Sequence, residues 1–140
     1  MFKPRWFSLQ ELVHPSFLTY PDNILWSRFH APYLATLDSL RDRYGAIVIN
    51  GVYKGQLYQN SGARPFDTTI GAALSMHKLW AAFDLKFMDL SPEEVMMDIL
   101  SHEANWGVIG RMEDARQTKT WLHIDFGNRS TTRAIHIFKP

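Results

Sequence analysis

The segment at residues 120–126 carries a histidine and a carboxylate that are two residues apart. If this segment is a β-strand, alternation places Trp121, His123 and Asp125 on one face and the apolar side chains between them on the other. A solvated strand face rarely needs an imidazole, a carboxylate and an indole together. The pattern therefore indicates either a functional site or an ordinary pair of side chains on an edge strand.

A second histidine and a second carboxylate, His77 and Asp84, are seven residues apart in a mostly apolar segment. Each of them could be satisfied by hydrogen bonds within a core. Together with His123, however, they supply two imidazoles and one carboxylate, which is a ligand set that zinc accepts. The chain has no cysteine, so any metal must be held by histidine and carboxylate. Three protein ligands leave a fourth position for water, as in catalytic zinc sites.

Composition and charge narrow the class of protein. A chain of 140 residues with 46% hydrophobic residues can bury one core, so we expect a single domain over residues 1–140. Fifteen basic and fourteen acidic residues leave a charge of +1, which argues against a nucleic-acid partner. No apolar run suits a signal peptide or a membrane span, so we expect cytoplasmic synthesis and no membrane partner.

Helix signals are strongest in the first half of the chain. A capping-box pattern predicts a short helix over residues 9–13. Apolar residues then recur every three or four positions and predict an amphipathic helix from about residue 22 to Gly45, which Pro32 either interrupts or begins. A Ser-Pro-Glu-Glu start predicts a further helix from residue 92 to about His102 or Ala104.

Strand signals are concentrated later in the chain, and residues 51–74 show no sustained period, so we predict a loop there. Because the helices come mainly first and short connections suit antiparallel pairing, we predict an α+β fold with helices packed on a mainly antiparallel sheet. The predicted strands cover residues 46–50, 83–88, 107–113, 120–126 and 133–138.

The order and intervals of the chemical residues resemble a known family. Ser-x-His at residues 75–77 is followed after six residues by Asp84, and later by Trp-x-His-x-Asp at residues 121–125. This pattern is similar to that of zinc peptidases that cut peptidoglycan peptides: the D-alanyl-D-alanine carboxypeptidases and the phage L-alanyl-D-glutamate endopeptidases, which share a fold with Hedgehog signalling domains. The resemblance covers about residues 60–126 and includes Ser-Gly-Ala-Arg at residues 61–64, where the family has Ser-Gly-Tyr-Arg.

The resemblance implies a Hedgehog-like fold in which His77, Asp84 and His123 bind a zinc ion. It also implies that Arg64 faces a carboxylate or carbonyl oxygen of the substrate, and that Ser75 supports a ligand or shapes the ligand loop. A guanidinium can hold a carboxylate through two parallel hydrogen bonds, or neutralise a developing oxyanion. The alternative for Arg64 is a solvated loop arginine.

The chain departs from the family pattern in two places. Trp80 stands where the family usually has glycine, and either narrows the space near the metal or packs against the sheet. Thr120 and Trp121 stand where many members have an acid or a histidine, so the usual general base is missing from its usual place. Glu113 is our main candidate for the base, with a surface turn acid as the alternative; Asp125 is the second, unless it orients a ligand histidine. More distant candidates are Asp114, His102 and Glu103.

The function that the resemblance implies is zinc-dependent hydrolysis of peptide bonds in peptidoglycan stem or cross-link peptides. Such a metallopeptidase would act on the bacterial cell wall as a phage-type endolysin or a virion enzyme. One alternative is a non-catalytic zinc-binding module, which the missing acid at Thr120 favours. The other is a virion structural or assembly protein of the same fold, in which Trp6, Trp26 and Trp106 would serve interfaces.

Overall fold

Four α-helices flank the strands in the computed structural model, which describes residues 1–127 and 135–140. Short 3₁₀ turns at Pro15–Thr19, Met76–Leu79 and Glu103–Trp106 connect them to the rest of the chain. The helices are α1 (Leu9–Leu12), α2 (Asp22–Arg28), α3 (Ala31–Tyr44) and α4 (Pro92–Ser101). The strands are β1 (Ile47–Val48), β2 (Gly51–Tyr53), β3 (Gln56–Tyr58), β4 (Ala82–Phe87), β5 (Arg111–Glu113), β6 (Leu122–Asp125) and β7 (His136–Phe138).

Five of the strands form one sheet in the order β1-β4-β6-β5-β7, and β2 and β3 form a separate hairpin. All pairs in the large sheet are antiparallel except β5 with β7, which are parallel. The predicted α+β fold with a mainly antiparallel sheet is therefore confirmed. No helix among the described residues has both the length and the apolar character needed to cross a bilayer.

Local sequence signals explain the start of α1 and both ends of α3. The Glu11 carboxylate accepts hydrogen bonds from the backbone N–H and the hydroxyl of Ser8, which fixes the start of α1. The predicted long amphipathic helix is divided into α2 and α3, and Pro32 lies in the first turn of α3, where its missing N–H costs nothing. Gly45 ends α3 with a φ of 82°, a conformation that glycine adopts without strain.

The prediction of a loop over residues 51–74 is wrong for its first part, where β2 and β3 form a hairpin. Lys54 and Gly55 connect the two strands and both have positive φ angles, of 49° and 78°. A two-residue turn with that backbone matches the twist of the flanking strands. The short alternating pattern of the hairpin, with Val52 and Leu57 exposed, lacks the apolar content that marks a core strand.

The later strands are shorter than predicted. Residues 107–110 lie outside the sheet, so the strand predicted over residues 107–113 covers only β5. The strand predicted over residues 120–126 covers only β6. The strand predicted over residues 133–138 is observed as β7, and its first two predicted positions lie outside the described residues.

One core holds the helices against the large sheet. Side chains of α3, among them Leu37 and Leu40, pack with Phe83, Leu85 and Phe87 from one face of β4. Every residue of β4 is buried, because its other face is covered as well. That other face carries polar side chains, and it is the face on which the candidate site is built.

Candidate metal centre

The pairing of β4 with β6 brings two of the predicted ligands together. In this antiparallel pair Asp84 lies directly opposite His123, and both side chains point away from the apolar core. His77 comes from the 3₁₀ turn that immediately precedes β4, and the backbone N–H of Ala81 donates to the carbonyl of Met76 to hold that turn against the strand. The register between β4 and β6 and the 3₁₀ turn before β4 therefore place all three side chains next to one another.

The three ligand atoms converge closely. Asp84 Oδ1 lies 2.8 Å from His123 Nδ1 and 3.3 Å from His77 Nε2, and these two nitrogen atoms are 3.3 Å apart. These distances are short enough for the three atoms to bind one metal ion, and all three residues are buried. This is the geometry of a set of side chains able to surround one small cation, and we refer to His77, Asp84 and His123 as the ligand group.

Hydrogen bonds on the outer side of each imidazole select its tautomer. His77 Nδ1 lies 2.8 Å from the carbonyl oxygen of Gly62, which can only accept, so the proton belongs on Nδ1. His123 Nε2 lies 3.2 Å from Asp125 Oδ2, so its proton belongs on Nε2. The inner nitrogen of each ring then carries a lone pair directed at the other two ligand atoms. Three acceptors thus face one another, and a cation satisfies all of them at once.

The electrostatics of the ligand group also favour a bound cation. Although burial opposes the charged form, hydrogen bonds to Asp125 and Asp84 raise the pKa of His123 to about 9. Burial acts to raise the pKa of Asp84, but the imidazoles of His123 and His77, which donate to it when they are protonated, hold that pKa well below its usual range. The carboxylate is therefore ionised, and positive charge is favoured among these three side chains, as a proton or as a metal ion.

Asp125 is fully buried and holds the ring of His123 from behind. Besides accepting from His123, it receives two hydrogen bonds from the guanidinium of Arg111, at 2.9 Å and 2.8 Å, and one from the backbone N–H of Gly127 at 3.1 Å. These donors leave no free face from which Asp125 could take a proton from a water. The geometry thus favours the orienting role for Asp125 over the role of a general base.

Arg111 is a site residue that the sequence analysis missed. It lies opposite Asp125 in the pairing of β5 with β6, and two-residue alternation places it on the same face as Glu113. The sequence does contain one sign of this, since alternation in the predicted strand over residues 107–113 puts Arg111 and Glu113 on one face. The partner of Arg111 could not be predicted, because the register between two strands is set by tertiary contacts.

Glu113 is a further acid beside the ligand group, and it neither belongs to that group nor holds one of its histidines. Its Oε2 lies 3.9 Å from His123 Nδ1, and its side chain is largely buried. Burial raises the pKa of Glu113, and the neighbouring carboxylate of Asp84 adds to that effect, whereas His123 opposes it. Thr120 is exposed just before β6, whereas Glu113 brings its carboxylate to this side of the site from β5.

Arg64 is buried beside the ligand group, with 9% of its surface exposed, and is therefore not a solvated loop arginine. Its Nη2 donates to Asp84 Oδ2 at 3.4 Å, the carboxylate oxygen that faces away from the histidines. The backbone of residues 61–64 runs alongside β4, where the Asp84 N–H donates to the Ser61 carbonyl at 2.8 Å. This contact explains why the Ser-Gly-Ala-Arg segment lies close to the first two ligands.

Two further residues of the motif have structural roles. Ser75 caps the 3₁₀ turn, since its hydroxyl accepts from the His77 N–H at 3.3 Å, and it thereby shapes the ligand loop. Trp80 adopts a φ of 60°, a conformation that glycine adopts most easily. Its indole packs on Phe17 and Phe29 at centroid distances of 4.9 Å and 4.7 Å, so it fills the core and does not narrow the site.

The ligand group lies at the base of a cleft of about 580 Å³, which we call the metal-centre cleft. Arg64, Arg111, Glu113, Trp121 and Phe138 contribute to its walls. The three distant candidates for a base are placed elsewhere: they do not belong to the lining of this cleft. They are Asp114, which is bound by Arg116, His102, which contacts Asp98, and Glu103 in the turn after α4.

Comparison of the chain with protein-family models, with curated proteins and with solved structures found no match. The likeness to zinc peptidases therefore rests on the motif residues, and the case for a metal rests on the geometry of the ligand group.

Proposed function

We propose that the protein is a zinc-dependent hydrolase that cleaves peptide bonds in peptidoglycan peptides. The observation that carries the proposal is the convergence of His77 Nε2, Asp84 Oδ1 and His123 Nδ1, with the outer nitrogen of each ring already held by an acceptor. Two imidazoles and one carboxylate at the base of an open cleft match a catalytic zinc site, which keeps a position for water. The choice of peptidoglycan as substrate comes from the motif resemblance.

The donor set fits zinc better than it fits the harder divalent ions. Magnesium and calcium prefer oxygen ligands, whereas imidazole suits zinc, and the ligand group supplies two nitrogen atoms and one carboxylate oxygen. When bound, zinc supplies a Lewis acid at the scissile carbonyl and lowers the pKa of a water from 15.7 to about 7. We expect one zinc ion per chain.

Glu113 is the residue that we propose as general base. From its position 3.9 Å from His123 Nδ1, Glu113 Oε2 accepts a proton from the attacking water and then returns it to the leaving amine. Proton transfer of this kind contributes about 100- to 10,000-fold to a rate. Burial raises the pKa of this carboxyl group, and a raised pKa makes a carboxylate a better proton acceptor.

Arg64 has two roles in the proposed mechanism. Its hydrogen bond to Asp84 Oδ2 directs the other carboxylate oxygen toward the histidines, so it positions a ligand. Its positive charge also stabilises the oxyanion that develops as water attacks the carbonyl. Because the guanidinium is buried, this charge acts in a medium of low dielectric constant and is screened less than at a surface.

The direct test is digestion of purified peptidoglycan with the zinc-loaded protein, followed by mass analysis of the released fragments. The proposal predicts new peptide termini at one defined bond, and no release by the His123→Ala variant, which lacks a ligand. If the wild-type protein binds zinc and releases nothing, the chain is a non-catalytic zinc-binding module or a virion protein instead. In that case the acid missing at Thr120 marks the loss of catalysis.

A further inference from the structure

A second cavity adjoins the metal-centre cleft. It measures about 360 Å³ and lies under the β2–β3 hairpin, so we call it the hairpin cavity. It shares Arg64, Gly71, Asp84 and Trp121 with the metal-centre cleft. The two spaces therefore meet at Asp84, and the ligand group lies at the junction of two cavities.

The hairpin that covers this second cavity is anchored to the body of the protein. The hydroxyl of Tyr53 donates to the carbonyl of Phe87 in β4 at 2.9 Å. The buried ammonium group of Lys86 lies 4.4 Å from the ring centroid of Tyr58 and donates to the hydroxyl of Ser61 at 2.8 Å. One wall of the hairpin cavity is thus fixed by contacts from β4, as a preorganised binding surface requires.

The lining of the hairpin cavity is rich in neutral polar groups. Gln56, Gln59 and Asn60 bring three side-chain amides, each of which can donate and accept hydrogen bonds. Leu57 and Ile70 add apolar surface and are 60% and 48% exposed. Amides beside exposed aliphatic side chains complement a peptide backbone with uncharged residues.

The two arginines that line the metal-centre cleft direct donors to acceptors within the protein. Arg64 donates to the Asp84 carboxylate and to two backbone carbonyls, and Arg111 donates through Nε and Nη2 to Asp125. Removal of a C-terminal residue is favoured by a guanidinium that grips the terminal carboxylate with two parallel hydrogen bonds. In Arg111 the paired donors Nε and Nη2 are engaged by Asp125, and in Arg64 each of the three side-chain nitrogen atoms already donates to an acceptor of the protein.

On the basis of the proposed function, we propose that the hairpin cavity is a substrate subsite and that the protein is an endopeptidase. A peptide strand lies across the junction, with its scissile bond next to the ligand group and with neutral residues on one side of that bond in the hairpin cavity. Water breaks the amide C–N bond: its oxygen joins the carbonyl carbon, giving a carboxylate, and the leaving nitrogen departs as an ammonium group. A volume of about 360 Å³ is enough for a short segment, since ligand pockets measure about 300–1,000 Å³.

The test uses the zinc-loaded full chain and three synthetic peptides that contain the bond identified by peptidoglycan digestion. One peptide extends by two residues on both sides of the bond and is blocked at both ends. The second is cut back to a single residue on the C-terminal side with a free carboxylate, and the third is cut back in the same way on the N-terminal side. The inference predicts the highest kcat/KM for the doubly blocked peptide.

A double variant, Gln56→Ala with Gln59→Ala, probes the cavity itself. Loss of one or two hydrogen bonds predicts a decrease in kcat/KM of about 3- to 10-fold for the doubly blocked peptide. One of the two shortened peptides should lose as much, and the other should be unaffected because it does not reach the cavity. Val52→Ala is the matched control, since Val52 is 66% exposed on the same hairpin and does not line the cavity.

The outcomes separate this inference from the proposed function. Cleavage of only the peptide with a single C-terminal residue and a free carboxylate would make the protein a carboxypeptidase; the inference would then be wrong and the proposed function would stand. Equal effects of the double variant on all three peptides, or of the control variant, would also overturn the subsite. If zinc is bound and digestion of peptidoglycan releases no fragment, the proposed function is wrong and the inference with it, whereas cleavage of peptidoglycan but of none of the peptides would overturn the inference alone.

Discussion

Replacement of Asp125 by asparagine should weaken zinc binding although Asp125 is not a ligand. The Asp125 carboxylate accepts from His123 Nε2 at 3.2 Å and thereby leaves the lone pair of that ring on Nδ1. An asparagine could turn its amide NH₂ toward Nε2 and favour the tautomer with the proton on Nδ1, which cannot bind a metal. It would also leave the guanidinium of Arg111 without its charged partner.

The size of the expected loss in zinc affinity follows from the role of Asp125 in orienting a ligand histidine. Loss of a carboxylate that orients a ligand histidine typically costs about 10- to 100-fold in metal affinity. This corresponds to about 1.4–2.7 kcal/mol of binding free energy. Asp125 should lie near the upper end, because it is fully buried and no water can replace the lost acceptor.

Competition with a chromophoric zinc chelator at neutral pH measures this change, and circular dichroism verifies that the variant is folded. Asp114→Asn is a matched control. Asp114 is also buried and accepts two hydrogen bonds from the guanidinium of Arg116, but it does not line the metal-centre cleft. Equal zinc affinity of the wild type and Asp125→Asn, or an equal loss in Asp114→Asn, would refute the reasoning.

Two further predictions concern catalysis and acid stability. Glu113→Gln should lower peptide hydrolysis by about 100-fold or more and leave the zinc dissociation constant unchanged; undiminished kcat would remove Glu113 from the mechanism. Hydrogen bonds from Arg43 and Tyr44 lower the pKa of Asp98 from 3.8 to about 2, so Asp98 stabilises the folded state above pH 3.8 and this contribution is lost as the pH falls through 2. Urea unfolding of Asp98→Asn should therefore show a smaller loss of stability than the wild type between pH 4 and pH 2, and parallel losses would contradict this sign.

The ligand group could be predicted because short-range patterns determine it. Strand alternation around residues 120–126 separates His123 from the core face, and the interval between His77 and Asp84 matches a turn followed by a strand. The direct pairing of Asp84 with His123 is a consequence of β4 lying next to β6. The pairing of β4 with β6 was not predicted from the sequence, although the motif resemblance implied that Asp84 and His123 share one metal site.

The supporting residues could not be predicted from local patterns. Arg111 reaches Asp125 only through the register between β5 and β6, which is set by tertiary packing. Lys86 reads as an outward-facing residue of a strand, yet it is fully buried on the site face of β4, where burial lowers its pKa to about 8. Its buried ammonium group is stabilised by a hydrogen bond to the hydroxyl of Ser61 and by a cation–π contact with the ring of Tyr58.

The β2–β3 hairpin could not be predicted from local patterns either. Its turn depends on Lys54 adopting a positive φ, which a lysine seldom does, so the sequence carries only the following glycine as a signal. Its packing depends on Tyr53 and Tyr58 reaching β4, about 30 residues later in the chain. These contacts with β4 are tertiary, and no local pattern in the sequence indicates them.

Metal analysis of the purified protein tests the central claim most directly. Elemental analysis after exposure to zinc and removal of free ions should find one zinc per chain in the wild type, and none in either His77→Ala or His123→Ala, because each change removes one of the three ligands. A wild-type protein without zinc, or full retention of zinc by both variants, would contradict the metal centre.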